Sequence, residues 1–125
     1  MQLSSKDITI AYIFQLNGGD GFEFLERGSS ALKAVKRNEM DAESVASLSS
    51  LLSALPYAPQ MRCHLPGFAM EILYADGGFV RSSFCFQCNN IMVVSSHVRH
   101  TLEFDASSRP AKALRDFLVS KAPQL

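Results

Sequence analysis

An excess of charge of either sign is the first thing this 125-residue chain lacks: its 12 Lys and Arg are matched by 12 Asp and Glu. A formally neutral chain has no long-range attraction to nucleic acid or to an anionic bilayer, so neither is expected as a partner. Nor does any stretch approach the roughly 18 consecutive apolar residues of a membrane span. The N-terminus is a poor secretion signal. Lys6 and Asp7 stand where an apolar segment should begin, and Ala11–Phe14 is too short to supply one. A signal peptide removed ahead of this numbering would leave no mark. With 3 cysteines, an odd number, the chain has no disulfide framework to read. That count points to a reducing compartment, the cytoplasm. Asn17–Gly21 lacks the acidic spacing of a calcium loop and the spacing of a phosphate-binding loop. No Ser–His–Asp set, paired carboxylates or dinucleotide fingerprint stands out.

What remains is a globular balance, 47% hydrophobic and 19% charged, in one domain, 1–125, able to bury a core without staples. Ile8, Ile10, Tyr12 and Phe14 alternate with Thr9, Ala11, Ile13 and Gln15, the period of a strand. Asn17–Gly21 breaks it, and Phe22–Leu25 is open between strand end and helix start. Ser29 or Ser30 can cap a helix to about Asn38. Asp41 caps a second whose stripe is Val45, Leu48, Leu52 and Leu55. Ser107 or Ser108, with Pro110 in the first turn, begins a last helix burying Leu114, Phe117 and Leu118.

Between the second and last helices the pattern is a meander. Phe68–Ala75 and Phe79–Phe86 alternate around Asp76-Gly77-Gly78, a hairpin turn. Ile91–Ser95 follows Asn89-Asn90, and alternation resumes from Val98 to Phe104. Tight turns make these strands antiparallel. The expected fold is therefore α+β: an antiparallel β-meander of four to five strands with helices packed on one face. Its interior should hold Phe14, Leu48, Leu52, Ile72, Phe84, Phe86, Val93, Leu114 and Phe117.

All three cysteines fall at this meander, Cys63 just before its first strand and Cys85 and Cys88 at the end of the second. Cys63-His64 with Cys85-x-x-Cys88 has the residue types of a Cys₃His zinc site, and zinc is the one cofactor they suggest. His97 and His100 are alternative fourth ligands. Strand geometry opposes the set. If Asn89-Asn90 is a two-residue turn, Cys88 shares the core face with Phe84 and Phe86. Cys85 then lies opposite, with Arg81, Ser83 and Gln87. Counting back from the Asp76–Gly78 turn sets Ala69 across from Cys85 and Pro66 across from Cys88, so Cys63 should come close to Cys88. A redox Cys-x-x-Cys belongs at a helix N-terminus, whereas this one precedes a strand. Unbridged, partly buried cysteines are the plainest reading.

Cys63-His64-Leu65-Pro66-Gly67-Phe68, Asp76-Gly77-Gly78 and Cys85-Phe86-Gln87-Cys88 together resemble a group of small bacterial proteins in which a Cys-x-x-Pro precedes a hairpin ending in Cys-Phe-x-Cys. The resemblance covers about a quarter of the chain and implies a bacterial protein whose cysteines act as a set. It carries no activity with it. The sequence points away from an enzyme and towards a binding or structural domain, with a protein or small-molecule partner and room for an oligomer. The other reading is a thiol-dependent redox or zinc-handling protein using Cys63, Cys85, Cys88 and His64. Arg81, Gln87, His97 and His100 are the candidate binding residues.

Overall fold

The computed structural model describes residues 1–17, 19–32 and 35–123. These form strands β1 (Ile8–Gln15), β2 (Asn38–Glu39), β3 (Phe68–Tyr74), β4 (Phe79–Cys85), β5 (Asn90–Ser95) and β6 (Arg99–Glu103), and helices α1 (Gly21–Arg27), α2 (Ala42–Ser53) and α3 (Arg109–Lys121). The strands make one antiparallel sheet in the order β2-β1-β3-β4-β5-β6. The meander is present, and the one strand beyond the expected count is the two-residue β2 beside β1.

The two long helices share a face, as expected. Asp41 caps α2 by accepting from the Ser44 amide at 2.8 Å, a bond that also holds the Asp41 carboxyl below its ordinary range. Ser108 caps α3 by accepting from Ala111 N at 3.2 Å. Val45, Leu48 and Leu52 of α2 and Ala111, Leu114 and Leu118 of α3 pack on Ala11, Ile13, Met70, Ile72, Phe84, Ile91 and Val93 of the sheet. Of the expected interior, Phe86 and Phe117 are only partly buried, at the margin of this core. Alternate residues of the internal strands point the other way, Phe14 of the expected interior among them. Phe14 and Ala69 pack there with Phe24 and Leu25 of the short α1.

The helix expected from Ser29 to Asn38 does not form. Ser29–Ala31 make a single 3₁₀ turn, Leu32 is extended (φ −88°, ψ 128°) and Asn38 opens β2. Lys33 and Ala34, inside that expected helix, lie outside the described residues, as does Gly18 in the expected Asn17–Gly21 turn. The cause is on β3. Glu71 is 5% exposed, and its carboxylate accepts from the Ser29 hydroxyl at 2.5 Å, the Ser29 amide at 3.3 Å and Arg81 Nε at 3.1 Å. Ser29 is thereby drawn onto the sheet instead of capping a helix. Gly28 makes the approach possible: its φ is +87°, and a Cβ there would meet Glu71 Oε2 at 2.6 Å.

Arg81, a candidate binding residue, is committed to this junction. It donates to the carbonyls of Leu25 at 3.3 Å and Glu26 at 3.4 Å near the end of α1, and its guanidinium lies 4.1 Å from the centre of the Phe79 ring. Arg81→Ala leaves a buried carboxylate without its counter-ion and should cost about 3–5 kcal/mol in urea denaturation. A loss under ~1 kcal/mol would mean that Glu71 is hydrated rather than paired.

Candidate functional site

Polar residues at the β4–β5 end of the sheet, on the α1 side, set the site. Strand pairing brings Ser83 opposite Met92 and Cys85 opposite Asn90, all on one face. Ser83, Cys85 and Asn90 are fully buried. Such groups need partners, and the irregular segment 56–67, a strap crossing this face, brings them.

The strap is tied along its length. Pro56 O accepts from Asp105 N at 2.8 Å, Met61 N donates to Cys88 O at 2.9 Å, and Gly67 N donates to Phe84 O at 3.2 Å. Leu65 N donates to Cys85 Sγ at 3.4 Å. Cys63 and Cys88 are joined by a disulfide, with Cα atoms 5.7 Å apart. The expected approach of Cys63 to Cys88 is thus met by a covalent bond, and Cys85 is the free, buried thiol.

His64 of the strap reaches between two sheet side chains, with Nδ1 2.6 Å from Asn90 Oδ1 and Nε2 2.6 Å from Ser83 Oγ. The tautomer follows from Asn90. Its amide Nδ2 is used twice, to Cys63 O at 2.7 Å and Gln60 Oε1 at 3.0 Å. Asn90 Oδ1 is therefore the acceptor, His64 Nδ1 carries the proton, and Nε2 accepts from the Ser83 hydroxyl. Burial lowers the His64 pKa from its ordinary 6.5, against a smaller raising effect of the Asn90 bond, so the ring is neutral at pH 7.

A serine, a histidine accepting its proton and an amide orienting the histidine form the relay of a nucleophilic triad. Its nucleophile is enclosed: Ser83 Oγ lies beneath His64, and Ser83 has no exposed surface. The three side chains clamp the strap to the sheet. The accessible part of the site is a shallow depression of about 600 Å³ beside it, lined by Phe22, Gln60, Met61, Arg62, Cys63, His64, Met92 and Glu103.

The other expected site residues are not gathered here. Cys63 and Cys88 spend their sulfurs on each other, and both His64 nitrogens are engaged. Zinc binding by Cys63, Cys85, Cys88 and His64 would require reduction and release of the ring, and no group of three or more His, Cys, Asp or Glu poised for a metal occurs among the described residues. Gln87 is exposed on the turn after β4, His97 is exposed at the opposite end of the sheet, and His100 is exposed on β6. Ser83 and Asn90 are the residues sequence reasoning missed. Their one signal was small polar side chains sharing a strand face with Cys85.

The loop closed by the disulfide has a sequence separation of 25, a length for which chain entropy gives about 3.5 kcal/mol of stabilisation. Replacing Cys63 and Cys88 together by Ala should lower stability by about that amount in urea, and dithiothreitol should destabilise the native chain but not the variant. Equal sensitivity of both to reductant would contradict the bridge. For His64 the folded state holds the pKa below its unfolded value. Its contribution is present in full above about pH 6.5 and is lost as pH falls through the lower folded value. Urea midpoints should therefore drop between about pH 7.5 and 5, by more in the native chain than in His64→Gln. Parallel pH profiles would refute the clamp.

In comparisons with known proteins, no family model, curated protein or solved structure matches this chain.

Proposed function

We propose that this chain is a non-enzymatic binding domain that receives an apolar side chain of a protein partner in the depression between α1 and the strap. The observation that carries the reading is the display of Phe22, 66% exposed, and Met61, 59% exposed, on the rim of one concavity with Met92. Large apolar side chains grouped at a concave surface favour association. Their backbone is held in place before binding, on one side by the disulfide and on the other by Gly21 packed against the Pro66 ring. Less ordering is then required on contact. Gln60, Arg62 and Glu103 at the rim supply polar groups for a peptide backbone.

A surface-tied disulfide favours an oxidising compartment over the cytoplasm that the odd cysteine count suggests. For a chain of bacterial origin, which the resemblance to small bacterial proteins implies, that is the periplasm or the exterior. One further observation favours the thiol reading as the second choice. Cys63 is exposed, so a small dithiol can reach the bridge, reduce it to two thiols and be oxidised to its own disulfide.

Methyl NMR separates binding from catalysis. Titration with an acetylated phenylalanine or leucine amide should shift the Met61 and Met92 methyl signals and leave those of the buried Met40 and Met70 in place. A fluorophosphonate should not label Ser83. Hydrolysis of an activated ester that disappears in both Ser83→Ala and His64→Ala would overturn the binding reading.

A further inference from the structure

The two edges of the sheet are unlike. On one side the two-residue β2, Asn38–Glu39, covers Tyr12 and Ile13 of β1, and a short edge strand gives little to pair with. The other edge is β6, Arg99–Glu103, whose register against β5 is continuous from Asn90↔Glu103 to Val94↔Arg99. β6 has no proline, no lysine and no bulge, three of the devices that protect an edge, and the strap covers only the position beyond its end, where Pro56 O takes the Asp105 amide at 2.8 Å.

The hydrogen bonds at its two ends show which backbone groups are free. Phe104 N donates to Asn89 O at 3.1 Å, and Ser95 N donates to Val98 O at 2.8 Å. In an antiparallel ladder the inward-bonded residues alternate, so Val98, His100, Leu102 and Phe104 face β5. The N–H and C=O groups of Arg99, Thr101 and Glu103 then point outwards. Among the described residues none of these six groups has a backbone partner outside the ladder.

We propose that a second copy of this chain pairs with β6 edge to edge, antiparallel, about a two-fold axis at Thr101, giving one continuous 12-stranded sheet from two copies of the six-stranded one. The sequence of the edge is self-complementary in that register. With Thr101 opposite Thr101, Arg99 of each copy stands opposite Glu103 of the other. All three outward-facing residues fall at hydrogen-bonded positions together. Cross-strand opposite charges and Thr–Thr pairs are favourable neighbours, and like charges directly opposite are not. The side chains are available for it. Arg99 is paired with Glu26, but both are more than half exposed, and such a pair is worth little. Glu103 accepts from the Gln60 amide at 3.2 Å and has no cationic partner among the described residues. A five-residue edge is a small interface, so the dimer is weak.

Sedimentation velocity from micromolar to millimolar protein tests the proposal. The native chain should pass from monomer to dimer and stop there, since pairing uses the open edge up. R99E and E103R, each of which sets like charges opposite one another twice, should weaken the dimer at least tenfold. R99E/E103R together should restore it. Thr101→Pro, which removes an outward N–H without breaking the β5 ladder, should leave a monomer with unchanged circular dichroism. A native chain that stays monomeric throughout overturns the proposal and leaves the edge to a foreign strand. So does a dimer that R99E and E103R leave intact, or a double swap that fails to restore it while each variant remains folded.

Discussion

Three polar side chains buried on one sheet face, Ser83, Cys85 and Asn90, impose the constraint from which the rest of the site follows. A buried hydroxyl or amide without a partner costs about as much as a good core contact gains. The sheet cannot satisfy these groups, because its backbone bonds are used in the ladders. The strap does so, with His64 between Ser83 and Asn90, the Cys63 carbonyl on the Asn90 amide and the Leu65 amide on Cys85. Once the strap is seated, Cys63 lies against Cys88 and the disulfide fixes it there. Phe22 and Met61 are consequently held around one depression with Met92, which also packs against the Phe14–Phe24 cluster.

A similar rule governs the neighbouring part of that face. Glu71 sits on an internal strand where an apolar residue would be ordinary. It is matched by Arg81 on the adjacent strand and by Ser29 from above. This ion pair positions α1 and the turn after it, and α1 carries Phe22 to the depression. Two polar clusters, one closed by a disulfide and one by a salt bridge, thus set the two walls of the proposed binding surface. The opposite face of the internal strands is a core for α2 and α3, with the Ser82 hydroxyl buried there without a partner among the described residues.

Much of this was legible from alternation alone. The meander, both long helices with their Asp41 and Ser108 caps, and the separation of Cys85 from Phe84 by face all follow from local pattern. Register did not. A two-residue turn at Asn89-Asn90 sets Cys88 against Ile91, whereas the turn in fact spans Phe86–Asn89, with Asn89 alone at positive φ, and Phe84 pairs with Ile91. The shift is even, so the paired residues of β4 and β5 kept their faces while their partners changed; Cys88, expected on the core face with Phe84, lies instead in the turn and is bonded to the strap. The hairpin before it is offset by the same parity: Ala69 opposes Ser83, not Cys85. The clamp was invisible because Ser83 and His64 are 19 residues apart and His64 and Asn90 are 26 apart. Nothing local marks such a set. The failed helix at Ser29 has the same origin, a serine whose strongest acceptor lies 42 residues away.

Amide hydrogen exchange on the strap, with and without reductant, is the most direct test that these polar contacts and the disulfide hold it to the sheet. In the oxidised chain the amides of Met61, Leu65 and Gly67, which donate to Cys88 O, Cys85 Sγ and Phe84 O, should be protected. On reduction the Met61 and Leu65 amides should lose protection, while those of β3 and β4 keep theirs. Strap amides that exchange freely in the oxidised chain, or that stay as protected after reduction, would contradict it.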